Sequence, residues 1–210
     1  MDYLFSDLRA FVGVYVDDIL IFSSSIEEHV QACRKVFQKL RQEHFYAGQD
    51  KCTFAQPEVE YCGFIVGKQG VRPQPQKLVA IREWPPPTNV TEVRSFLGLC
   101  GFYQRFVADY AHVSAPLTDL QHKGITWHWE PKQHKAFVTL KSRPLNAPVL
   151  AHPDMSKPFI LHTDASDFAI GATLSQMGPD GQLHLVACRS KKLDPDQRNY
   201  AVHEKKCSHW

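Results

Sequence analysis

Two short apolar runs joined by a pair of aspartates constrain the fold of this chain more than any other feature. The runs occupy residues 11–16 and 19–22, and Asp17 and Asp18 stand between them. Because two β-rich runs separated by two turn-prone residues are typical of a β-hairpin, the sequence predicts a hairpin with the aspartates as its connection. Adjacent carboxylates repel each other, so stability alone gives little reason to place both at one exposed turn.

Phosphoryl transfer supplies a chemical reason for such a pair. Carboxylates can hold two divalent ions about 3.5–4 Å apart while the ions stabilise the attacking and leaving oxygens. Mg²⁺ prefers hard oxygen ligands of this kind. Asp17 and Asp18 are therefore candidate metal ligands. The alternative is a polar hairpin turn without any chemistry, since aspartate suits turns.

Local patterns divide the next part of the chain into strands and amphipathic helices. Ser25 and Glu28 form a capping signal before a helix, and Asn89 and Glu92 form another. Gly98 and Gly101 inside the second of these helices indicate close packing or a break. The predicted strands lie at 51–54 and 60–66. Two predicted helices cover roughly 26–44 and 78–84. Three more begin at Asn89, with a bend before Phe106, at residue 115, and at residue 130, where the helix ends near Pro144.

From residue 158 the pattern changes to strands. The predicted strands are 159–164, 169–174 and 183–189, and Asp194-Pro195 predicts the start of a helix. This order predicts a second domain that the chain does not complete.

Composition excludes several classes of protein. Hydrophobic residues make up 43% and charged residues 22% of the chain, which argues against disorder. A net charge of +2 is too small to indicate nucleic-acid binding by itself. The six cysteines form no C-x-x-C pair, so zinc binding is not supported. No apolar run approaches the ~20 residues of a membrane span, and no signal peptide is evident. We therefore expect an intracellular protein that contacts no membrane, in a cytoplasmic particle or in the nucleus.

The segment from Tyr15 to Ser23 resembles the catalytic Tyr-x-Asp-Asp hairpin of reverse transcriptases in Ty3/Gypsy-class long-terminal-repeat retrotransposons. The resemblance continues along nearly the whole chain. The segments that carry it are 27–29, 51–54, 60–64, 81–85, 94–99, 103–106, 115–117, 147–150, 162–166, 171–176 and 190–193.

This resemblance implies an α+β fold with three parts: a partial reverse-transcriptase palm sheet, a helical thumb and connection, and a truncated RNase H-like sheet. The implied boundaries are 1–72 for the palm, 73–126 for the thumb, 127–157 for the connection and 158–210 for the RNase H-like part. The implied activity is RNA-directed DNA synthesis coupled to cleavage of the RNA strand.

The resemblance also assigns roles to residues. Asp17 and Asp18 match the polymerase metal ligands, and Asp164 matches the first RNase H metal ligand, with Mg²⁺ or Mn²⁺ as the cofactor. The implied partners are an RNA/DNA primer–template duplex and, in the longer enzyme, deoxynucleotides and other polyprotein segments. The residues expected to contact nucleic acid are Tyr15, Tyr61, Gly63, Arg94, Arg105 and Lys51.

Simpler alternatives stay open for several of these residues. Arg94, Arg105 and Lys51 can be solvated surface charges. A hydrophobic core explains Phe96, Phe102 and Phe106 better than base stacking does, so we expect these phenylalanines to be buried.

Three departures from the family pattern affect the expected activity. The chain has no room for an upstream metal-binding aspartate or for a fingers segment. Lys206 stands where the RNase H pattern has a glutamate, and the family pattern stops before Trp210. We therefore expect the isolated chain to be inactive. The alternatives are a non-catalytic module that binds duplexes and an inert gene remnant.

Overall fold

The computed structural model describes residues 3–122, 124–194 and 196–197. It contains two compact units, one that ends at Lys68 and one that begins at Gln69. Each unit combines helices with antiparallel strands, which confirms the predicted α+β class. The assignment of the parts to palm, thumb and connection stays a prediction.

The first unit consists of two hairpins and one long helix. Its strands and α-helix are β1 (Val12–Tyr15), β2 (Asp18–Ile21), α1 (Ile26–Gln42), β3 (Glu58–Tyr61) and β4 (Phe64–Gly67). The Ser25 hydroxyl accepts a hydrogen bond from the Glu28 N–H at 3.2 Å, so α1 begins where the capping signal predicts. Its inner face packs on the first hairpin, and the buried core contains Phe5, Val12, Val36 and Leu40.

Two strand predictions in the first unit are wrong. The segment 51–54 is not a strand, because Gln49–Lys51 forms a 3₁₀ turn and irregular chain follows it. The segment 60–66 is not one strand but the tip of the hairpin formed by β3 and β4. Cys62 and Gly63 have φ values of 50° and 79°, and this pair of positive values makes a type I′ turn that reverses the chain.

The second unit combines a helical layer with a three-stranded sheet. Its elements are β5 (Gly70–Pro73), α2 (Pro75–Glu83), α3 (Val90–Phe102), a 3₁₀ turn (Gln104–Phe106), α4 (Tyr110–Asp119), α5 (Pro131–Leu145), β6 (Ile160–Ala165), β7 (Ala169–Met177) and β8 (Leu183–Lys192).

Aromatic side chains hold the helical layer together. The ring of Phe96 lies 4.7 Å from that of Phe137 and 6.1 Å from that of Trp84, measured between centroids. Phe96 and Phe106 are buried, as predicted. Phe102 is 46% exposed, so the prediction that it is buried is wrong. It projects outward from α3, and the Lys77 ammonium lies 5.8 Å from its ring centroid.

Helix α4 begins five residues earlier than the sequence predicts. The chain from Tyr110 is already helical, and Pro116 lies inside the helix instead of near its start. A proline inside a helix removes one backbone hydrogen bond but does not prevent a helix that tertiary contacts stabilise. One such contact is the hydrogen bond that the Ala111 N–H donates to the Ser190 hydroxyl of β8, with an N–O distance of 2.7 Å.

The sheet has the antiparallel order β6-β7-β8, as the order of predicted strands suggests. Strands β7 and β8 are longer than predicted, and a β-bulge lies between Leu174 and Ser175. The helix predicted from Asp194-Pro195, including Lys206, lies outside the described residues. Over the described part of the chain, no helix is both long and apolar enough to cross a membrane.

Candidate metal and nucleic-acid sites

The tip of the first hairpin carries both predicted metal ligands. Tyr15 pairs with Asp18 as the last residues of the ladder, so the connection is Val16-Asp17 and not Asp17-Asp18. This register corrects the predicted turn by one residue and makes Asp18 the first residue of β2. Both carboxylates are exposed to solvent.

The backbone at this tip is strained. Val16 has φ = 54°, in the left-handed region that a β-branched residue rarely adopts. A conformation of this kind costs on the order of 1–3 kcal/mol and persists only where the surrounding structure enforces it. Here the enforcing structure is the β1–β2 ladder, whose four pairs run without a gap from Val12 to the tip.

The second hairpin lies beside the first. A methyl group built on Gly13 would be 3.9 Å from the Tyr61 hydroxyl oxygen, so Tyr61 crosses over strand β1. Burial raises the pKa of Tyr61 to about 12, with smaller contributions from Cys62 and from the negative charge of Asp18. Burial also raises the pKa of the Cys62 thiol, and the Asp18 charge acts in the same direction. The β3–β4 turn and the aspartate pair therefore share one electrostatic environment.

The oxygen donors at the tip match the chemistry of a hard divalent cation. Asp17 and Asp18 offer carboxylates, which Mg²⁺ and Mn²⁺ prefer to sulfur or imidazole ligands. Within the described ranges, no three His, Cys, Asp or Glu side chains converge on one point. The first unit therefore offers a divalent cation two carboxylate ligands at this tip, those of Asp17 and Asp18.

Asp164 occupies a separate position, in strand β6 of the second unit. It is exposed, and its Oδ1 atom accepts a hydrogen bond from the Ala165 N–H at 2.9 Å. The sheet register places it opposite Gly171 of β7. It thus presents an exposed carboxylate on strand β6, at one side of the described three-stranded sheet.

The residues predicted to contact nucleic acid divide between surface and turn positions. Tyr15, Lys51, Arg94 and Arg105 are exposed, and Tyr61 and Gly63 are partly buried at the β3–β4 turn. The exposed face of α3 also carries Gly98 and Phe102, which follow Arg94 at intervals of four residues.

Sequence reasoning missed Asp109, which lies on the sheet beside Gly171. The residue type gives one local signal, because aspartate tolerates the left-handed backbone that Asp109 adopts at the start of α4. That signal does not reveal which strand the side chain reaches.

Comparison with protein families gives two matches. Residues 1–66 match the family described as "Reverse transcriptase (RNA-dependent DNA polymerase)". Residues 129–208 match the "RNase H-like domain found in reverse transcriptase". Both families generally use divalent metals.

Curated relatives come from a fission yeast. The Tf2-3 and Tf2-7 transposon polyproteins of Schizosaccharomyces pombe are each 37% identical to this chain over 194 residues. These alignments include 92% of this chain and 15% of each polyprotein. The chain therefore spans about a seventh of the length of these relatives.

Solved structures share the fold at low identity. The foamy viral protease-reverse transcriptase dRH in complex with double-stranded DNA matches with a TM-score of 0.81 at 22% sequence identity. The match covers 99% of this chain and 36% of the foamy viral chain. The foamy viral protease-reverse transcriptase in complex with an RNA/DNA hybrid has the same score and identity, with 28% of its own chain covered.

Proposed function

This chain belongs to the reverse transcriptases of Ty3/Gypsy-class long-terminal-repeat retrotransposons, and from this we propose its function. It supplies carboxylates for DNA synthesis and for RNA cleavage, and it supplies a surface that binds the primer–template duplex. The observation that carries the proposal is the exposed Asp17-Asp18 tip beside the β3–β4 turn. A divalent ion bound there would stabilise the attacking and leaving oxygens of nucleotidyl transfer.

The residues of the first unit have distinct roles in this proposal. Asp17 and Asp18 hold Mg²⁺ or Mn²⁺ through carboxylate oxygens. Tyr61 and Gly63 hold the primer end at the β3–β4 turn, and Tyr15 contacts the duplex from the end of β1. The adjacent hairpins support this division, because Tyr61 crosses β1 at Gly13 next to the aspartate pair.

The exposed face of α3 supports duplex binding by the second unit. Arg94 offers a cation to a backbone phosphate, and Gly98 leaves the helix surface free of side chains one turn later. Arg105 follows in the next 3₁₀ turn. The foamy viral structures contain double-stranded DNA or an RNA/DNA hybrid, and the same class of ligand is proposed here. Asp164 supplies a carboxylate to a second metal-dependent site, for RNA cleavage.

Metal binding at the hairpin tip can be tested with Mn²⁺ and electron paramagnetic resonance. Asp18→Asn is expected to weaken Mn²⁺ binding by about tenfold or more. The matched control is Asp50→Asn, which removes an exposed aspartate from the 3₁₀ turn of the same unit. Equal Mn²⁺ affinity in the Asp18→Asn variant and the unchanged chain would contradict the proposed metal site.

Duplex binding can be tested by fluorescence anisotropy with an RNA/DNA hybrid between 50 and 200 mM salt. Arg94→Gln is expected to weaken binding and to reduce the salt slope by about one. Arg82→Gln is the control, because the Arg82 guanidinium already pairs with Glu83 at 3.4 Å. Affinity that does not depend on salt, or no binding, would contradict the proposal.

A nucleotide-incorporation assay then separates synthesis from binding. Turnover that Asp18→Ala abolishes would show polymerase activity in this chain alone. Binding without turnover is the result that the sequence leads us to expect for the isolated chain.

A further inference from the structure

An exposed apolar stripe runs along helix α1, beside the face that packs on the first hairpin. This α1 stripe consists of Ile26, Val30, Cys33 and Phe37. Its members follow one another at intervals of four, three and four residues, which places them on one side of the helix. Ile26, Val30 and Phe37 are 62%, 43% and 39% exposed, and Cys33 is half-buried. A contiguous exposed row of large apolar side chains marks a surface that binds another molecule.

An aromatic side chain from outside the helix extends the α1 stripe at its C-terminal end. The Phe54 ring lies 6.1 Å from the Phe37 ring, measured between centroids, and Phe54 is itself exposed. Val36 and Leu40, which lie on the neighbouring face of α1, are the residues that this helix contributes to the core of its own unit. Within the described part of the chain, the stripe therefore stays uncovered after α1 has packed on its hairpin.

The spacing of the α1 stripe is the same in both directions along the helix. Two copies of α1 can therefore pack side by side and antiparallel, with Ile26 of each copy opposite Phe37 of the other. Val30 of each copy then lies opposite Cys33 of the other, and Phe54 adjoins Ile26 of the second copy. A contact of this kind is isologous, because a two-fold axis brings the same patch of both copies together. The stripe is thus apolar and also complementary to itself.

Two charged residues on one flank of the α1 stripe fit the same arrangement. Glu27 and Arg34 are exposed and seven residues apart, so they lie within about 20° of each other around the helix axis. In the antiparallel pair this flank faces the same flank of the second copy. Glu27 then lies within about 3 Å, measured along the axis, of Arg34 of the second copy. Among the described residues, neither side chain has an ion-pair or hydrogen-bond partner in its own chain.

We propose that the α1 stripe is a contact surface for a second copy of this chain, arranged antiparallel about a two-fold axis. The apolar side chains supply the affinity, and the two pairs of Glu27 with Arg34 set the direction of the helices. This contact is independent of the proposed metal ligands and of the duplex surface on α3. Because few side chains take part, the dimer is weak, with a Kd on the order of 10 µM.

Sedimentation velocity of the full chain in reducing buffer, from about 1 to about 300 µM, measures this association. Ile26→Glu places a charge in the α1 stripe, while an acidic residue in the first turn of α1 is compatible with the helix. This variant is expected to raise the Kd by about tenfold or more, because the dimer would bury an unpaired carboxylate. Gln31→Glu is the matched control, since it adds the same charge on another side of the helix. It should leave the Kd within about twofold of the original value.

Exchange of the two flanking charges tests the antiparallel direction. Glu27→Arg and Arg34→Glu are each expected to raise the Kd by about fivefold, because like charges then meet between the copies. The double variant restores both pairs and should return the Kd to within about twofold of the original value. Circular dichroism checks that every variant keeps its helices.

Three results would overturn the proposal. The first is a chain that stays monomeric over the whole concentration range. The second is an association that Ile26→Glu leaves unchanged, because the copies would then meet through another surface. The third is a double charge variant that dimerises no better than the two single variants, because Glu27 and Arg34 would then not face each other.

Discussion

Left-handed backbone positions mark the candidate sites at the scale of single residues. Among the described residues, five that are not glycine have positive φ, and three of these lie at candidate sites: Val16, Cys62 and Asp109. Strained backbone of this kind clusters where a fold must present a side chain in a fixed direction. At the first hairpin, the strain at Val16 accompanies the exposed position of Asp17 and Asp18.

Val16→Asn is expected to stabilise the protein, because asparagine tolerates the left-handed region better than a β-branched residue does. The expected gain in the free energy of unfolding is about 1 kcal/mol. Urea denaturation measures it. Val30→Asn is the control, since Val30 is also exposed but lies in helix α1, and its effect should stay within about 0.5 kcal/mol. No gain at position 16 would mean that the backbone there is not strained.

Gly70 is required for both its backbone angle and its close contact with the chain after α5. Its φ is 129°, and a Cβ atom would collide with the Leu150 carbonyl oxygen, whose residue pairs with Val71. Gly70→Ala is therefore expected to cost about 3 kcal/mol in the free energy of unfolding.

Gly181→Ala separates the two causes, because Gly181 also has a positive φ of 72° but faces open space. It should cost about 1 kcal/mol, from the backbone angle alone. Thermal or urea denaturation measures both variants. Equal losses would show that the contact with Leu150 does not contribute.

The elements differ in how far local sequence determines them. Helices α1 and α3 begin where local capping residues predict, because the Ser25 and Asn89 side chains each accept a hydrogen bond from a first-turn N–H group without help from the rest of the chain. The start of α4 was not predictable in this way. It depends on the hydrogen bond from Ala111 to Ser190 of a distant strand, which no local pattern contains.

Gly98 tests whether the exposed face of α3 contacts a duplex. Among the described residues, nothing lies within 4 Å of a Cβ atom built on Gly98, and α3 runs through this position without a break. Neither the close packing nor the break that the sequence predicts is found at Gly98. Gly98→Ala is therefore expected to stabilise the helix by about 1 kcal/mol. The same variant should weaken binding of an RNA/DNA hybrid, because the added methyl group would lie between the helix and the duplex. Stronger or unchanged binding would indicate that this face does not contact nucleic acid.

Gln176 holds the loop before the sheet in place. Its Nε2 atom donates to the Asp154 and Lys157 carbonyls at 2.8 and 3.2 Å, and its Oε1 accepts from the Asp154 N–H at 2.9 Å. Gln176→Leu would leave these backbone groups unpaired and is expected to cost about 3 kcal/mol. Gln182→Leu, at an exposed position of the same hairpin, should change the free energy of unfolding by less than about 0.5 kcal/mol. A loss at Gln182 as large as that at Gln176 would contradict this role.

At the scale of the whole molecule, motifs predicted the family better than they predicted the contacts within the fold. The Asp17-Asp18 pair and Asp164 could be identified as candidates, because short segments around them carry the family pattern. The position of Asp109 beside Gly171 could not be identified, since the two residues meet only in the folded chain. A helix and a strand that are separate in sequence define that position, and periodicity carries no information about it.

Buried tyrosines predict how the whole molecule responds to alkali. Burial raises the pKa of Tyr61 to about 12 and also raises the pKa values of Tyr103 and Tyr110. Each tyrosine is neutral below its pKa, so its contribution to stability is complete below the unfolded value of about 10 and is lost as the pH rises toward the folded value. Buried Cys100 and Cys188 act in the same direction from about pH 9.

The free energy of unfolding, measured with urea between pH 7 and 11, should therefore fall above about pH 9, and Tyr61→Phe should make the fall shallower. A second readout is absorbance at 295 nm, which should show late tyrosine ionisation that Tyr61→Phe reduces. Ionisation of all tyrosines near pH 10 in the folded chain would contradict the burial of Tyr61 against the first hairpin.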